Sequence, residues 1–330
     1  MLNHKGTQEI RTQRLVLRKI RESDYKDIFR YTSKDEVAKY VTWNTHQKIE
    51  NTKVLCKMWA DQYKSGDKYH WAILLDGTVI GNIEIPKIID GTAFLGWQID
   101  SCYWNKGIMT EAASAVRDYM FTEIGVETLG ASYIKENIGS GRVMQKIGMT
   151  EVNPEKYFEK LKNTEKEMTE FDGMPLGFCL LSRKEWICNK LTVRIMKPND
   201  YDEVYALWKN CKGVGLYDID DSKNGIERFL NRNPDTCFIA EICGRIIGSV
   251  LSGDDGRRGY IYHMAVDENF RGNGIATELL ECALTALKRN GVSKTALVVF
   301  KDNEAGNAFW DKAGFQKREE LRYRNKLLVE

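Results

Sequence analysis

Six residues in the second half of the chain carry the clearest chemical signal: Arg271, Gly272, Asn273, Gly274, Ile275 and Ala276. The β-rich apolar run Tyr260 to Val266 precedes them. Ile275, Leu279, Leu280, Ala283, Ala286 and Leu287 then recur at helical spacing and predict one apolar helix face. The order is strand, tight turn, helix. Two glycines let backbone approach a ligand closely, and the first helical turn directs unpaired N–H groups at it. The helix dipole adds partial positive charge, so the turn suits an anion, above all a phosphate. No Gly-Lys-Ser/Thr ending is present, which argues against a nucleoside triphosphatase loop. Thr277 stands where a dinucleotide fingerprint needs its third glycine, and that fingerprint opens its domain, whereas several strands precede this one.

A strand is expected over Thr295 to Phe300 (TALVVF), followed by Asn303, Ala308, Phe309, Trp310, Lys312, Gly314 and Phe315. The pattern Arg271-x-x-Gly274-x-Ala276 resembles the acetyl-CoA pyrophosphate loop of the GNAT superfamily of N-acetyltransferases. The later block is similar to the family ending Asn…Ala…Tyr-x-Lys-x-Gly-Phe, with Trp310 in the tyrosine place. The resemblance implies that Arg271, Gly272, Asn273, Gly274, Ile275, Ala276 and Thr277 hold the pyrophosphate. It implies further that Met264, Ala265 and Val266 pair with the pantetheine arm in a gap where the strand splays from its neighbour, and that Asn303 contacts coenzyme A.

The elements that must position these residues occur twice. Leu15 to Ile20, the hairpin Trp71–Leu75 and Thr78–Ile85, Phe94–Asp100, Thr128–Ile134 and Met174–Ser182 read as strands. Tyr25–Tyr31, Ile49–Tyr63 and a stretch from Thr110 to about Glu123 read as helices. Around Trp186 to Lys190 the pattern restarts, with strands at Thr192–Met196, Phe238–Ile242 and Arg245–Ser252. Gly81 and Gly248 lie 167 residues apart, as do Gly107 and Gly274, and Gly148 and Gly314 lie 166 apart. Glycines in register over that distance indicate two whole domains, placed at 1–186 and 191–330, because solenoid repeats have far shorter periods. The expected fold class is α/β (α+β), each domain a mixed, mostly antiparallel central sheet flanked by helices.

The first half resembles the GNAT branch of ribosomal-protein N-terminal acetyltransferases. The residues that carry this are Ile80-Gly81-Asn82-Ile83, Tyr103-Trp104-x-Lys106-Gly107 with Thr110-Glu111-Ala112, and Asn137-x-x-Ser140 with Lys146-x-Gly148-Met149. Here the resemblance implies coenzyme contacts from Trp104, Asn105, Lys106, Gly107, Ile108, Met109, Thr110 and Asn137. Trp104 departs from the Arg or Gln of the general superfamily loop.

Composition bounds the rest. The chain has 330 residues, enough for two domains with full cores. Net charge is +2, so no bulk field argues for nucleic acid or an anionic membrane. No apolar run approaches the ~20 residues of a membrane span, and the first residues lack the apolar core of a signal peptide. Eight scattered cysteines without a C-x-x-C or paired His argue against a metal or disulfide framework and for a reducing cytoplasm.

Acetyl transfer to an amine needs a held thioester, a neutral nitrogen and a way to release thiolate. A lysine ε-amine, pKa ~10.4, is almost wholly protonated at neutral pH, whereas an α-amine at ~7.7–8.0 is about a tenth free. General-base help is worth roughly 10²–10⁴. His263 on the key second-half strand can act as base, directly or through water; a hydrogen-bonded strand histidine is the other reading. Asp218, Asp220 and Asp221 can attract a cationic amine or form a solvated turn. Glu84 is a base or a surface carboxylate. Ser140 falls where the resembled branch places a hydroxyl that protonates the thiolate, and it also suits a helix start. The expected function is acetyl-CoA-dependent N-acetyl transfer to a primary amine of a small molecule, peptide or protein. The rivals are a non-catalytic acyl-CoA-binding sensor and a pair in which one half is structural.

Overall fold

The computed structural model describes residues 2–41, 43–153, 170–171, 173–217 and 219–328. Asp218 lies outside them. The chain forms two compact units, Met1–Asn189 and Lys190–Glu330.

The first unit runs β1 (Ile10–Arg11), β2 (Leu15–Lys19), α1 (Tyr25–Thr32), α2 (Asp35–Ala38), α3 (Ile49–Gln62), β3 (Tyr69–Leu75), β4 (Thr78–Ile89) and β5 (Thr92–Ile99). It continues with α4 (Ile108–Tyr119), β6 (Thr128–Ile134), α5 (Ile138–Lys146), β7 (Thr150–Glu151), β8 (Glu170–Phe171), β9 (Met174–Ser182) and α6 (Arg183–Lys190). The sheet order is β1-β2-β3-β4-β5-β6-β9-β7, with β8 against β9, and β5–β6 is the parallel pair. Both faces of the central strands are covered: Tyr69 through Ile73 on β3 and Val79 through Ile83 on β4 are buried without a break. Asp76 and Gly77 turn this hairpin with φ of 49° and 81°, the two positive values that a tight primed turn requires. Ile28, Tyr31, Cys56 and Trp59 bring α1 and α3 onto one face of the sheet. Ala112, Ala113 and Val116 are the buried side of α4.

The second unit repeats the plan with β10 (Thr192–Ile195), α7 (Tyr201–Asn210), α8 (Lys223–Arg232), β11 (Phe238–Ile242), β12 (Arg245–Asp254), β13 (Gly259–Val266), α9 (Ile275–Arg289), β14 (Thr295–Leu297) and α10 (Glu304–Lys312). Its sheet order is β10-β11-β12-β13-β14, with only β13–β14 parallel. Val204, Trp208, Ile226, Leu230, Ile239 and Leu251 form the core beneath α7 and α8. Arg18 clamps Asp24 at 2.8 and 2.9 Å in the first unit, and Arg194 clamps Asp200 at the same distances in the second.

Three expectations change. The strand expected to reach Phe300 stops at Leu297. Among the described residues β14 has no outer neighbour, and Val298 and Phe300 stand exposed. The helix expected to run to about Glu123 is α-helical to Tyr119 and then widens into a π-type turn, Met120–Ile124. The restart around Trp186 falls within helix α6, where Trp186 and Ile187 are buried.

Candidate active sites

Each sheet ends in the same device. Past β5 and β13 the Asp100 and Asp267 backbone N–H groups donate to Ile80 O and Ile247 O, at 2.9 and 2.8 Å. Their carboxylates then accept from Cys102 N and Asn269 N, at 3.0 and 2.9 Å. The next step explains Trp104. Its indole Nε1 donates to Ile99 O at 3.1 Å, while Arg271 Nε donates to Val266 O at 3.0 Å. Tryptophan and arginine occupy one structural position and make one bond, closing the loop on the last carbonyl of the strand.

Beyond that bond Asn105 and Gly272 take positive φ, 59° and 79°, and so do Gly107 and Gly274, 72° and 84°. The left-handed cap turns the chain directly into α4 and α9. The first intrahelical bonds are Glu111 N to Gly107 O and Glu278 N to Gly274 O. That leaves the N–H groups of Ile108, Met109 and Thr110, and of Ile275, Ala276 and Thr277, at the helix starts without an intrahelical acceptor. Neither Gly107 nor Gly274 has a side chain to cap them. Space above Gly272 and Gly274 is open for 4 Å. Asn273 Nδ2 ties the loop by donating to Phe270 O and Arg271 O. These cradles fit the pyrophosphate of acetyl-CoA, since donors, dipole and free volume coincide.

The first cradle has a residue that motif reading missed. Arg14 donates from Nη1 to Lys106 O at 3.1 Å and from Nε to Glu111 at 2.6 Å, and its Nη2 lies 3.7 Å from where a Gly107 Cβ would be. Burial opposes ionisation of Glu111, but hydrogen bonds from Thr12 and Arg14 hold its carboxyl below the usual range. A separation of 92 residues hid this contact from any local pattern. Lys106 itself rests its ammonium 5.5 Å from the Tyr103 ring.

Both parallel pairs are short. β5 joins β6 only over Thr92–Phe94, and β13 joins β14 only over Gly259–Ile261. From there the strands part, leaving one edge of Tyr262–Val266 without a strand partner among the described residues. Met264 is half-buried and Ala265 and Val266 are buried there. Val266 O is already engaged, by Arg271 and by the Cys211 thiol at 3.5 Å. A groove of about 580 Å³ lies beside Arg271, lined by Gly213, Gly215, Arg271, Phe300 and Asn303 among others. Gly213, at φ 87°, sits so tightly on the Asn303 amide that a Cβ would collide with it. Asn137 and Asn303 cap α5 and α10, accepting from Ser140 N at 3.2 Å and from Gly306 N at 2.9 Å.

The three side chains proposed for proton transfer have different surroundings. His263 Nε2 lies 2.6 Å from Asp221 Oδ1, and its ring lies 4.9 Å from that of Trp208. Asp221 is buried, and its other oxygen accepts from Tyr217 N at 2.6 Å. Trp208 is fixed in turn by its bond to Ser249 Oγ at 2.8 Å. Glu84 on β4 faces Gly96 on β5 and His70 on β3. Burial raises its carboxyl above the usual range. Tyr31 donates to Asn82 Oδ1 at 2.8 Å, so the Asn82 amide nitrogen, 2.9 Å from His70 Nε2, donates there. The His70 proton is therefore on Nδ1, 3.8 Å from Glu84. Burial holds His70 down to about 3. Ser140 sits on the first turn of α5, half-buried.

The two candidate bases do not correspond. His263 matches Gly96 in the repeat and Glu84 matches Leu251, each pair 167 residues apart. The sheets bulge on opposite strands. Ile85 and Pro86 oppose Leu95 in the first unit, and Tyr262 and His263 oppose Leu251 in the second. A bulge re-aims the side chains of its strand.

The model described as the acetyltransferase (GNAT) domain matches residues 14–150, and that of the acetyltransferase (GNAT) family matches residues 201–315. An acetyltransferase of Sodalis glossinidius is 32% identical over 140 residues, 42% of this chain and 97% of its own. One of Pectobacterium atrosepticum is 36% identical over 126 residues, 38% of this chain and 88% of its own. The crystal structure of a GNAT-family acetyltransferase from Bacillus anthracis aligns with 54% of this chain and 100% of its own, at 25% identity and a TM-score of 0.45. Enzymes of this family draw their acetyl group from acetyl-CoA. The loop–helix cradles, their repetition, the two family models and the relatives at 32% and 36% identity together show that the chain belongs to the GNAT family of N-acetyltransferases, with two such domains in tandem.

Proposed function

We propose that two acetyltransferase domains, about 1–186 and 191–330, each bind acetyl-CoA, and that the second acetylates a primary amine with His263 as general base. The observation that carries this is the His263–Asp221 pair, 2.6 Å apart, where β13 leaves β14. Acetyl-CoA supplies an activated acetyl thioester. The chain's own groups do the rest. Backbone N–H groups at the starts of α4 and α9 hold the pyrophosphate. The Asp221 carboxylate accepts from His263 Nε2–H and so leaves the Nδ1 lone pair to take a proton. The amine forms its N–C bond as the C–S bond breaks, and the proton shed by nitrogen goes to Nδ1. A free thiol has a pKa near ~8.5, so thiolate departs without an obligatory acid.

In the first domain Glu84 takes the base role, and the Ser140 hydroxyl donates a hydrogen bond to the departing sulfur, which takes its proton from solvent. Glu84 lies directly across from Gly96: a Cβ there would stand in ordinary contact with the Glu84 side chain, at 3.8 Å. The acceptor is the amine of a small molecule or of a peptide or protein. All eight cysteines are free thiols, and among the described residues no helix is long and apolar enough to cross a membrane. We place the enzyme in the cytoplasm on that basis.

The test follows thiol release across a panel of amines, using the full chain with Gly107→Glu to isolate the second site. His263→Ala should lower kcat/KM for high-pKa amines by roughly 10²–10⁴ and leave CoA affinity within twofold. Thiol release unchanged by His263→Ala would remove the base assignment. CoA binding without turnover of any amine, at either site, would favour the sensor reading.

A further inference from the structure

Beside His263 stands a group of rings that the transfer chemistry leaves unused. The bulge at Tyr262 and His263 sends both side chains toward the α7–α8 side of the sheet: Tyr262 meets Phe229 of α8, and His263 meets Trp208 of α7. Tyr262 packs edge-on to Phe229 with ring centres 5.3 Å apart at 82°, and against Tyr260 at 4.8 Å and 44°. Three rings thus meet at steep angles, yet Tyr262 keeps 49% of its surface exposed. Aromatic rings are good strand residues, but packing alone does not call for one so open beside His263.

A carboxylate completes the group. Asp220 immediately precedes the Asp221 that orients His263, and it is exposed, with no ion pair or side-chain hydrogen bond among the described residues. Its place is fixed: the loop presses so closely on α8 that a Cβ on Gly225 would collide with Asp220 O. The Asp220 charge reaches Tyr262, whose phenol is raised by burial, by Tyr323 and by Asp220. Tyr260 is raised by burial, by Tyr323 and by Tyr262. Elsewhere in this domain Lys209 lies over the Tyr205 ring and Lys223 over Tyr201. Among the described residues no cation of the chain covers Tyr260, Tyr262 or Phe229.

We propose that Tyr260, Tyr262, Phe229 and Asp220 form a cation subsite, so that the second domain acetylates amines carrying a second, permanently or readily cationic group. This rests on the acceptor reading of the His263 site. Aromatic faces attract ammonium through their quadrupoles, more strongly once the cation is desolvated. The carboxylate adds attraction and selects charge over mere apolar bulk. The reacting nitrogen must lose its proton to His263 while the distal cation stays charged, so the two ends of the acceptor are told apart.

Binding and turnover test it separately in the full chain. Butyltrimethylammonium has no reactive amine and probes the subsite alone, and its uncharged isostere with a tert-butyl end is the control. Calorimetry should show the cation binding about tenfold or more tighter than the isostere. Tyr262→Leu and Asp220→Asn should each remove most of that difference, with the thermal transition retained. In turnover with Gly107→Glu, 1,4-diaminobutane should exceed butylamine about tenfold in kcat/KM, and the same substitutions should collapse that ratio. Equal binding of cation and isostere, or equal use of diamine and monoamine, overturns the subsite. Cation binding without any turnover would overturn the enzymatic role of His263 and leave the subsite standing.

Discussion

The bond shared by Trp104 and Arg271 shows how one position tolerates unlike residues. What the loop needs is an N–H aimed back at the end of the strand, and an indole and a guanidinium both supply it. Trp104→Arg should therefore leave thermal stability and CoA affinity nearly unchanged. Trp104→Leu leaves Ile99 O without its donor and should cost about 1 kcal/mol, read as a lower melting temperature of the first domain. Glu84 makes a pH prediction. Burial raises its pKa, and only the ionised form accepts a proton. The acid limb of first-domain kcat/KM, measured with Gly274→Glu, should lie above the ordinary carboxylate value of ~4.3. Glu84→Gln should erase that limb along with most of the rate. An acid limb that survives the substitution would assign the base elsewhere.

At the scale of elements the asparagine caps and the buried histidine decide stability. Asn137 and Asn303 each bond the third N–H of their helix, so Asn137→Ala and Asn303→Ala should each cost ~1 kcal/mol. A shift of a few degrees in melting temperature would report it. His70 is neutral in the packed stack of α3 on β3, held down to about 3, whereas an unfolded histidine titrates near ~6.5. A depressed folded pKa gives stability that is present above ~6.5 and lost as pH falls toward 3. The first domain should weaken in that window by up to ~1.4 kcal/mol per pH unit. His70→Gln should flatten the slope of melting temperature between pH 7 and 5; an unchanged slope would mean that His70 is protonated without cost.

For the whole molecule, two cradles of one design stand beside two unlike sets of candidate proton-transfer groups. Calorimetry should count two coenzyme A sites per chain, reduced to one by either Gly107→Glu or Gly274→Glu and to none by both. A single site in the wild type would make one domain structural.

The cradles were legible from sequence because they are local. Glycines at positive φ, a helix start and an apolar helical face follow one another within about fifteen residues of chain, and duplication wrote the pattern twice. The splay of β13 from β14 was expected from family resemblance, and the short pairings in both sheets agree with it. The bases are another matter. His263 and Glu84 were visible as residue types, but nothing near them in the chain names Asp221, 42 residues away, or the Tyr31–Asn82–His70 chain that fixes a proton beside Glu84. Arg14 was invisible for the same reason. β14 was read too long, since three apolar residues that continue a strand by propensity find no neighbour to pair with. Local backbone chemistry set where the two anion cradles lie. Which candidate side chain each sheet presents depended on a one-residue bulge placed on opposite strands of the two sheets, and only long-range strand register decides that.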